Sequence, residues 1–314
     1  MSNKINLAIL TGGSSSEREI SIKSCDNVIY NIDNSKYNVK VYNLPEDDAV
    51  SWIQELIADN IDIVFSTLHG GKGENGDIQG LLKSIGIPFV GSGVLASSLC
   101  IDKAMAKIVM EANHIQTAQY TLFKIGSNIL EYAQDIRQIG FPLIVKPNRG
   151  GSSIGIEVVN NNYELEKAIN SIIDKYNDDV LIEKFIKGRE ITCGIIEDKE
   201  SIKVMPVLDV KKTGDIFNFA DKYEASTYNA DESNMPDFLK DMVRAIAIKA
   251  YKVLKCKGYA CVDMIVDKEQ IYVIEVNTLP GLTSQSLITR ALVSLNISFS
   301  QFIDMLISFE LDLK

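Results

Sequence analysis

The stretch "GYACVDMIVDKEQIYVIEVNTLPG", Gly258–Gly281, reads as two apolar strands joined by a short polar turn. It carries more oxygen ligands than a strand pair needs: Asp263 in the first strand, Glu275 and Asn277 at the end of the second. Side chains alternate along a strand, so Tyr259, Cys261, Asp263 and Ile265 share one face. By the same rule Ile271, Val273, Glu275 and Asn277 share one face of the second strand. An odd turn, Lys268–Gln270, sets Asp263 opposite Glu275 and Cys261 opposite Asn277, whereas an even turn would put the two acids on opposite faces. The odd register is the expectation. It gathers two carboxylates and an amide at one spot, a set of hard oxygens suited to Mg2+ completed by water and phosphate. A hairpin with one solvated face would account for Asp263 alone. The apolar neighbours of the trio, and the repulsion of two facing carboxylates without a cation, favour the metal site.

Upstream of this hairpin the chain divides into segments of different pattern. "INLAIL", "YNVKVYNL", "IDIVFSTLH" and "IPFVG" read as strands. Helices follow "TGGSSSEREIS" and occupy "IQGLLKSIG", an alternation that predicts a parallel α/β sheet over roughly residues 1–95. A helix is expected from Asp102 to about His114. "YTLFKI", "FPLIVKP", "GIEVV" and "DVLIEKF" then read as short strands around a helix near Glu164–Tyr176, a small α+β unit over 96–187. The last unit, 188–314, holds strands "EITCGII" and "IKVMPVLDV", a helix from about Pro236 to Cys256, the hairpin, and a final helix from near Ser298. The irregular stretch Lys211–Met235 is longer than most structureless connections and reads as a functional loop.

Composition bounds the class. The 314 residues are 46% hydrophobic and 24% charged, an ordinary globular balance with room for two or three domains. A net charge of -10 gives nothing to attract a nucleic acid backbone or an anionic membrane. No apolar run approaches the roughly 20 residues of a membrane-spanning helix, and "MSNKINLAIL" does not read as a signal peptide. Five cysteines without a Cys-x-x-Cys suggest neither a disulfide framework nor a zinc site, and a cytoplasmic setting is expected.

"VKPNRGGSSIG", Val145–Gly155, ends a strand in Lys146 and turns through small residues. Such a loop lets backbone N–H groups approach phosphate oxygens, with Lys146 adding a point charge, although a plain hairpin turn would look the same. It is not the Walker pattern, and Gly12-Gly13 does not continue into a dinucleotide fingerprint.

In order and spacing these pieces resemble the ATP-grasp superfamily, and within it the D-alanine–D-alanine ligase family. The resemblance covers nearly the whole chain. It rests on Gly12-Gly-x-Ser-x-Glu17-Arg-Glu-x-Ser21, His69-Gly-x-x-Gly-Glu74-x-Gly, Asp102-Lys103, Lys146-Pro, Gly151-Ser-Ser153, Glu183-Lys184, Gly188-x-Glu190, Lys222-Tyr223, Asp263, Glu275-x-Asn277-Thr-x-Pro-Gly281 and Ser286-Leu287. It implies α/β and α+β architecture, a three-domain ATP-grasp fold with an N-terminal parallel α/β domain. Lys103, Lys146, Ser153 and Lys222 would serve the ATP phosphates, Glu183, Lys184 and Ile186 the adenine, and Glu190 the ribose. Asp263, Glu275 and Asn277 would bind Mg2+ or Mn2+, as two ions. Glu17 would take the ammonium of the first D-alanine with His69 nearby, and Ser152 and Tyr223 would bond with Glu17 and close the site. The Gly281 N–H would serve the oxyanion, while Ser286 and the Leu287 N–H would hold the carboxylate of the second D-alanine. Partners would be small molecules, with a possible homodimer and no nucleic acid or membrane.

Four positions depart from the family pattern. Cys261 stands where an arginine is usual; Ile216–Tyr223 is a changed lid; Asn229-Ala230-Asp231 replaces Cys-Pro-Ala; and Thr289 replaces a proline. A neutral thiol cannot stand in for a guanidinium, and losing one oxyanion donor costs on the order of 10²–10³ in rate. Three readings therefore stay open: a D-alanine–D-alanine ligase with a compensating cation at Arg290 or Arg149, a ligase for another pair such as D-Ala-D-Ser, and a weakly active ATP-binding paralogue.

Overall fold

The computed structural model describes residues 4–47, 50–210 and 230–312. Three sheets organise it. The first is parallel, with β1 (Ile5–Gly12) between β2 (Tyr37–Leu44) and β3 (Ile63–Ser66). Helices α1 (Arg18–Asn31), α2 (Ser51–Ala58), α3 (Gly71–Glu74) and α4 (Asp77–Ser84) connect and flank it. The expected fourth strand at "IPFVG" is reduced to a single bridge, Phe89 beside Val64. Pro88 accepts from Val64 but has no N–H to donate, which limits the ladder there.

Helices α5 (Val94–Ile101) and α6 (Lys103–Ala112) follow, the second capped by the Asp102 carboxylate, which accepts from Met105 N at 3.1 Å. The next sheet is antiparallel, in the order β4 (Tyr120–Phe123), β7 (Val180–Lys184), β5 (Leu143–Pro147), β6 (Glu157–Val159). Alternation gives it two characters. Leu143, Val145, Val180 and Ile182 pack against α7 (Ala133–Ile139) and α8 (Asn162–Tyr176). Ile144, Lys146 and Glu183 face the other way, into a cleft.

The third sheet runs β10 (Ala230–Glu232), β9 (Ile202–Val210), β8 (Arg189–Glu197), β11 (Tyr259–Asp267), β12 (Gln270–Asn277), all antiparallel. One face buries Val262, Met264, Val273 and Val276 with Val243, Ala247 and Tyr251 of α9 (Asp237–Val253) and Met110 of α6. On the opposite face Tyr259 packs with Leu7, Ile9 and Phe65 of the first sheet, and with α10 (Leu287–Ser294) and α11 (Phe299–Asp312). Among the described residues no single helix is long and apolar enough to cross a membrane; α10 and α11 are apolar together, but Ile288, Leu292, Phe302 and Leu306 are buried in that core.

The hairpin reaches the expected pairing by a different route. Asp263 does lie opposite Glu275, and Cys261 opposite Asn277. The turn, however, is even: Asp267 pairs with Gln270 across Lys268–Glu269, with Lys268 in the left-handed region at φ 56°. A β-bulge between Asp263 and Met264 restores the register, because Ile274 is an extra residue on β12. Strict alternation is broken as a result. Ile271 and Val273 turn toward the α9 core, whereas Ile274, Glu275 and Asn277 face the site, so the expected common face of these β12 residues does not exist.

Candidate active site

Between the second and third sheets lies a cleft of about 900 Å3. Its walls are apolar where a flat ring would slide in, with Ile144, Ile156, Phe185, Ile265 and Ile274. Its polar groups are Lys103, Lys146, Ser153, Glu183, Lys184, Glu190, Asp263 and Glu275, so these sequence-predicted residues, and Ile186, are brought together. Lys103 reaches from the first turn of α6 to donate to the Gly150 carbonyl at 2.5 Å, and its Nζ lies 3.3 Å from Glu275 Oε2. These two contacts tie the glycine loop to the acid pair. Lys146 Nζ sits 2.5 Å from Glu183 Oε2. Burial pushes the Glu183 carboxyl up, but Lys107 and Lys146 together outweigh it and hold it down at about 2.

A second cavity, of about 690 Å3, adjoins the first and shares Glu190 and Asp263 with it. Cys261, Asn277, Gly281, Ser286 and Leu287 line it. Gly281 passes so close to Ser286 that a Cβ there would meet its Oγ at 3.0 Å. Ser286 Oγ accepts from Thr283 N at 3.0 Å, and Leu287 opens α10, leaving a helix N-terminus directed at the cavity wall.

The third group surrounds Glu17. Ser152 Oγ donates to Glu17 Oε1 from consecutive left-handed residues, Ser152 at φ 51° and Ser153 at φ 57°. Two non-glycine residues in that region are uncommon and mark a loop held in shape by its partners. A Cβ at Gly70 or at Gly151 would each lie 2.6 Å from Glu17 Oε2, so the carboxylate is seated between two glycines. Glu74, not assigned a role from sequence, accepts from Gly70 N at 3.1 Å; burial, then the charge of Glu17, raises its carboxyl to about 8.

His69 is buried, and burial lowers its pKa, so the ring is neutral. Its Nδ1 lies 2.9 Å from the Leu279 carbonyl, which can only accept, so Nδ1 carries the proton. Nε2 then accepts from Ser24 Oγ at 3.1 Å, and Ser24 Oγ accepts from Leu282 N at 3.1 Å. Asn27 adds a bond to the Leu282 carbonyl at 2.7 Å. Both His69 nitrogens are therefore engaged in holding the loop that carries Gly281, and His69 lines neither of the two joined cavities. Lys222 and Tyr223, with the lid and Asn229, lie outside the described residues.

A sequence profile described as D-ala D-ala ligase C-terminus matches residues 109–308, and one described as D-ala D-ala ligase N-terminus matches 46–92. The chain is 39% identical over 306 residues to the D-alanine--D-alanine ligase of Clostridium beijerinckii, covering 96% of this chain and 97% of that one. It is 39% identical over 314 residues to D-alanine--D-alanine ligase B of Clostridium perfringens, covering 99% of each. The chain belongs to the D-alanine–D-alanine ligase family. Among solved structures, the Bacillus anthracis D-alanine--D-alanine ligase complexed with ATP superposes with a TM-score of 0.86 at 33% identity, covering 98% of both chains. The Enterococcus faecalis VanG D-Ala:D-Ser ligase gives 0.83 at 26% identity, covering 98% of this chain and 100% of that one.

Cys261 stands at the position where the resemblance implies an arginine. Its thiol is 6% exposed and packed with Tyr259 and Leu279. Burial first, and Asp263 second, push its pKa well above the ordinary thiol value, so it is a neutral group. Of the compensating cations expected from sequence, only Arg290 comes close, through Gln285, which lines the second cavity. Arg149 is bound to Asp102 at 3.2 Å on an outer surface, Arg290 donates to Gln285 Oε1 at 2.7 Å, and neither lines the second cavity. Among the described residues no lysine or arginine does.

The acid pair fits a hard divalent cation by its donor chemistry. Among the described residues no cluster of three or more His, Cys, Asp or Glu side chains is placed to hold a metal. A cation here would rest on the two carboxylates, the Asn277 amide, phosphate and water. Asn277 Oδ1 also accepts from Leu279 N at 3.0 Å, which fixes the amide's orientation.

Sequence reasoning passed over Lys107, Ser24, Asn27 and Glu74. The signal for Lys107 was present, four residues after Lys103 on a helix whose buried residues are otherwise Ala104, Ala106 and Met110. The roles of Ser24 and Asn27 depend on a loop more than 250 residues away, and no local pattern announces them.

Proposed function

We propose that this chain joins two D-alanines, at the cost of ATP hydrolysed to ADP and phosphate, giving D-alanyl-D-alanine for peptidoglycan synthesis. The observation that carries the reading is the junction of the two cavities at Asp263 and Glu190. It joins a slot with apolar walls and cationic lysines to a chamber lined by Gly281, Ser286 and Leu287.

In this reading Glu17 holds the ammonium of the first D-alanine, with Ser152 keeping its carboxylate in place. Glu183, Lys184 and Ile186 seat the adenine, Glu190 the ribose, and Lys103, Lys146, Ser153 and Lys222 the phosphates. The first D-alanine carboxylate attacks the γ-phosphorus; the bond to the β,γ-bridging oxygen breaks, ADP leaves, and an acyl phosphate forms. Positioning and charge neutralisation do most of the work in such a transfer. The second D-alanine, its carboxylate held by Ser286 and the Leu287 N–H, attacks the acyl carbon through its amine. The developing oxyanion takes a hydrogen bond from Gly281 N–H, and collapse expels phosphate as the amine loses its proton. Two Mg2+ or Mn2+ ions on Asp263, Glu275 and Asn277 would neutralise phosphate charge. Tyr223 and the lid would shut out water from the acyl phosphate. His69 serves by holding the Gly281 loop.

The proposal places the enzyme in the cytoplasm as a homodimer, with domains at 1–95, 96–187 and 188–314. Release of ADP on adding ATP, Mg2+ and D-alanine alone is the expected result. Release only with a mixed pair, D-alanine with D-serine or D-lactate, would reassign the acceptor. No amino-acid-dependent release would leave an ATP-binding paralogue.

A further inference from the structure

Helix α6 carries two lysines one turn apart, and both point inward. Lys103 reaches the glycine loop and Glu275. Lys107 is 0% exposed and stops short of the cleft. Its Nζ lies 2.5 Å from Glu183 Oε1 and 5.3 Å from the Tyr120 ring centroid. Neither Lys107 Nζ nor Glu183 Oε1 has a hydrogen-bond partner elsewhere among the described residues. The other oxygen of the same carboxylate, Oε2, is 2.5 Å from Lys146 Nζ. One buried acid is thus shared by two ammonium groups, of which only Lys146 borders the cleft.

We propose that Lys107 is a positioning residue of the nucleotide site: it neutralises Glu183 so that Lys146 can turn from that carboxylate to the nucleotide. The inference rests on the reading of the cleft as the ATP site. Its physical basis is the cost of a stranded charge. A buried carboxylate that loses its sole partner is strongly disfavoured, whereas one that keeps a second ammonium is not. With Lys107 in place, Lys146 exchanges one anionic partner for another while Glu183 remains compensated. Without Lys107, ATP would have to draw Lys146 away from an acid with no other cation. With both lysines on it, the Glu183 carboxyl is held down at about 2 against the opposing effect of burial. A merely structural ion pair would alter stability and leave the ATP dependence of the rate alone.

The test is a cycle in the full-length protein, reading ADP release against ATP and D-alanine. Lys107→Met, close in shape, should raise the KM for ATP roughly 10- to 100-fold, the worth of one charge-assisted hydrogen bond, with kcat and the KM for D-alanine within a few-fold of the parent. In the Glu183→Gln background the charge to be compensated is gone, so adding Lys107→Met should change the KM for ATP less than twofold. This double variant strands no buried carboxylate, leaves Lys146 at the edge of the cleft, and keeps the test alive if Lys107→Met alone is insoluble. A KM for ATP unchanged by Lys107→Met, or lowered stability alone, overturns the proposal. So does an effect of Lys107→Met that is as large with Glu183→Gln as without it. A parent protein that binds no ATP is a different outcome: it removes the nucleotide-site reading itself.

Discussion

Replacing Gly151 by alanine adds one methyl group at the point where the glycine loop meets Glu17. The new Cβ would lie 2.6 Å from Glu17 Oε2, about 0.8 Å inside the 3.4 Å at which ordinary contact begins. The backbone does not object, since Gly151 is not in the left-handed region, so the experiment reads the clash alone. Glu17 has little room to retreat. It is 7% exposed, Ser152 holds its other oxygen, and Gly70 occupies the far side at the same glycine-only clearance. Either the carboxylate or the loop must shift by most of an ångström, and displacements of about 1 Å in a positioned group cost up to roughly 100-fold. Steady-state ADP release should therefore show kcat/KM for D-alanine down about 10- to 100-fold, equivalent to about 1.4–2.7 kcal/mol. The KM for ATP should move less. Gly151→Ala with D-alanine kcat/KM within threefold of the parent would refute the reasoning, because Glu17 would then have no fixed seat to lose.

Other consequences are as open to measurement. Cys261→Arg puts a cation beside Asn277 in a cavity that no lysine or arginine lines among the described residues, and should raise turnover by about tenfold or more if a missing donor limits the parent; an unchanged rate would show that a neutral side chain suffices there. Glu74 binds a proton more tightly in the native state than in the unfolded chain, so between its ordinary 4.5 and about 8 the native state binds more protons and stability falls as pH rises. Glu74→Gln should flatten that slope and raise Tm at pH 8, with its bond from Gly70 N kept; parallel pH profiles would count against it. Cys100 Sγ and Cys256 Sγ are 3.8 Å apart and both buried, so a small disulfide oxidant should join them, seen as a loss of two free thiols in the intact mass.

The sequence announced the sheets better than the joints between them. β1, β2 and β5 were legible because apolar runs end in glycine or proline, and β11 because its alternation is unbroken. The β12 faces were misread, since a bulge adds one residue without leaving a mark in composition, and it happened to cancel the error in turn length. Helix α10 was missed because eight residues after a Pro-Gly turn present too few periods to count. The site residues were legible through their spacing along the chain. What spacing could not convey is occupancy: that both nitrogens of His69 are taken, that Glu183 is shared, that Arg149 is tied to Asp102, and that Arg290 is tied to Gln285.

The bonds from Ser24, Asn27 and His69 to Leu279 and Leu282 have a bearing on how such a gene can be recombined. Two sequence profiles meet in this chain, one ending at residue 92 and one beginning at 109, which invites exchange of the halves between relatives. Yet the loop bearing Gly281 is encoded in the second half and clamped by side chains of the first. All three clamps act on backbone groups of the loop, Leu279 O, Leu282 N and Leu282 O, so the loop's own side chains can vary while its path cannot. A crossover between 92 and 109 would be tolerated where the incoming first half brings Ser, Asn and His at those three positions. Where it does not, the chimera would fold its sheets and bind nucleotide with its oxyanion donor out of place.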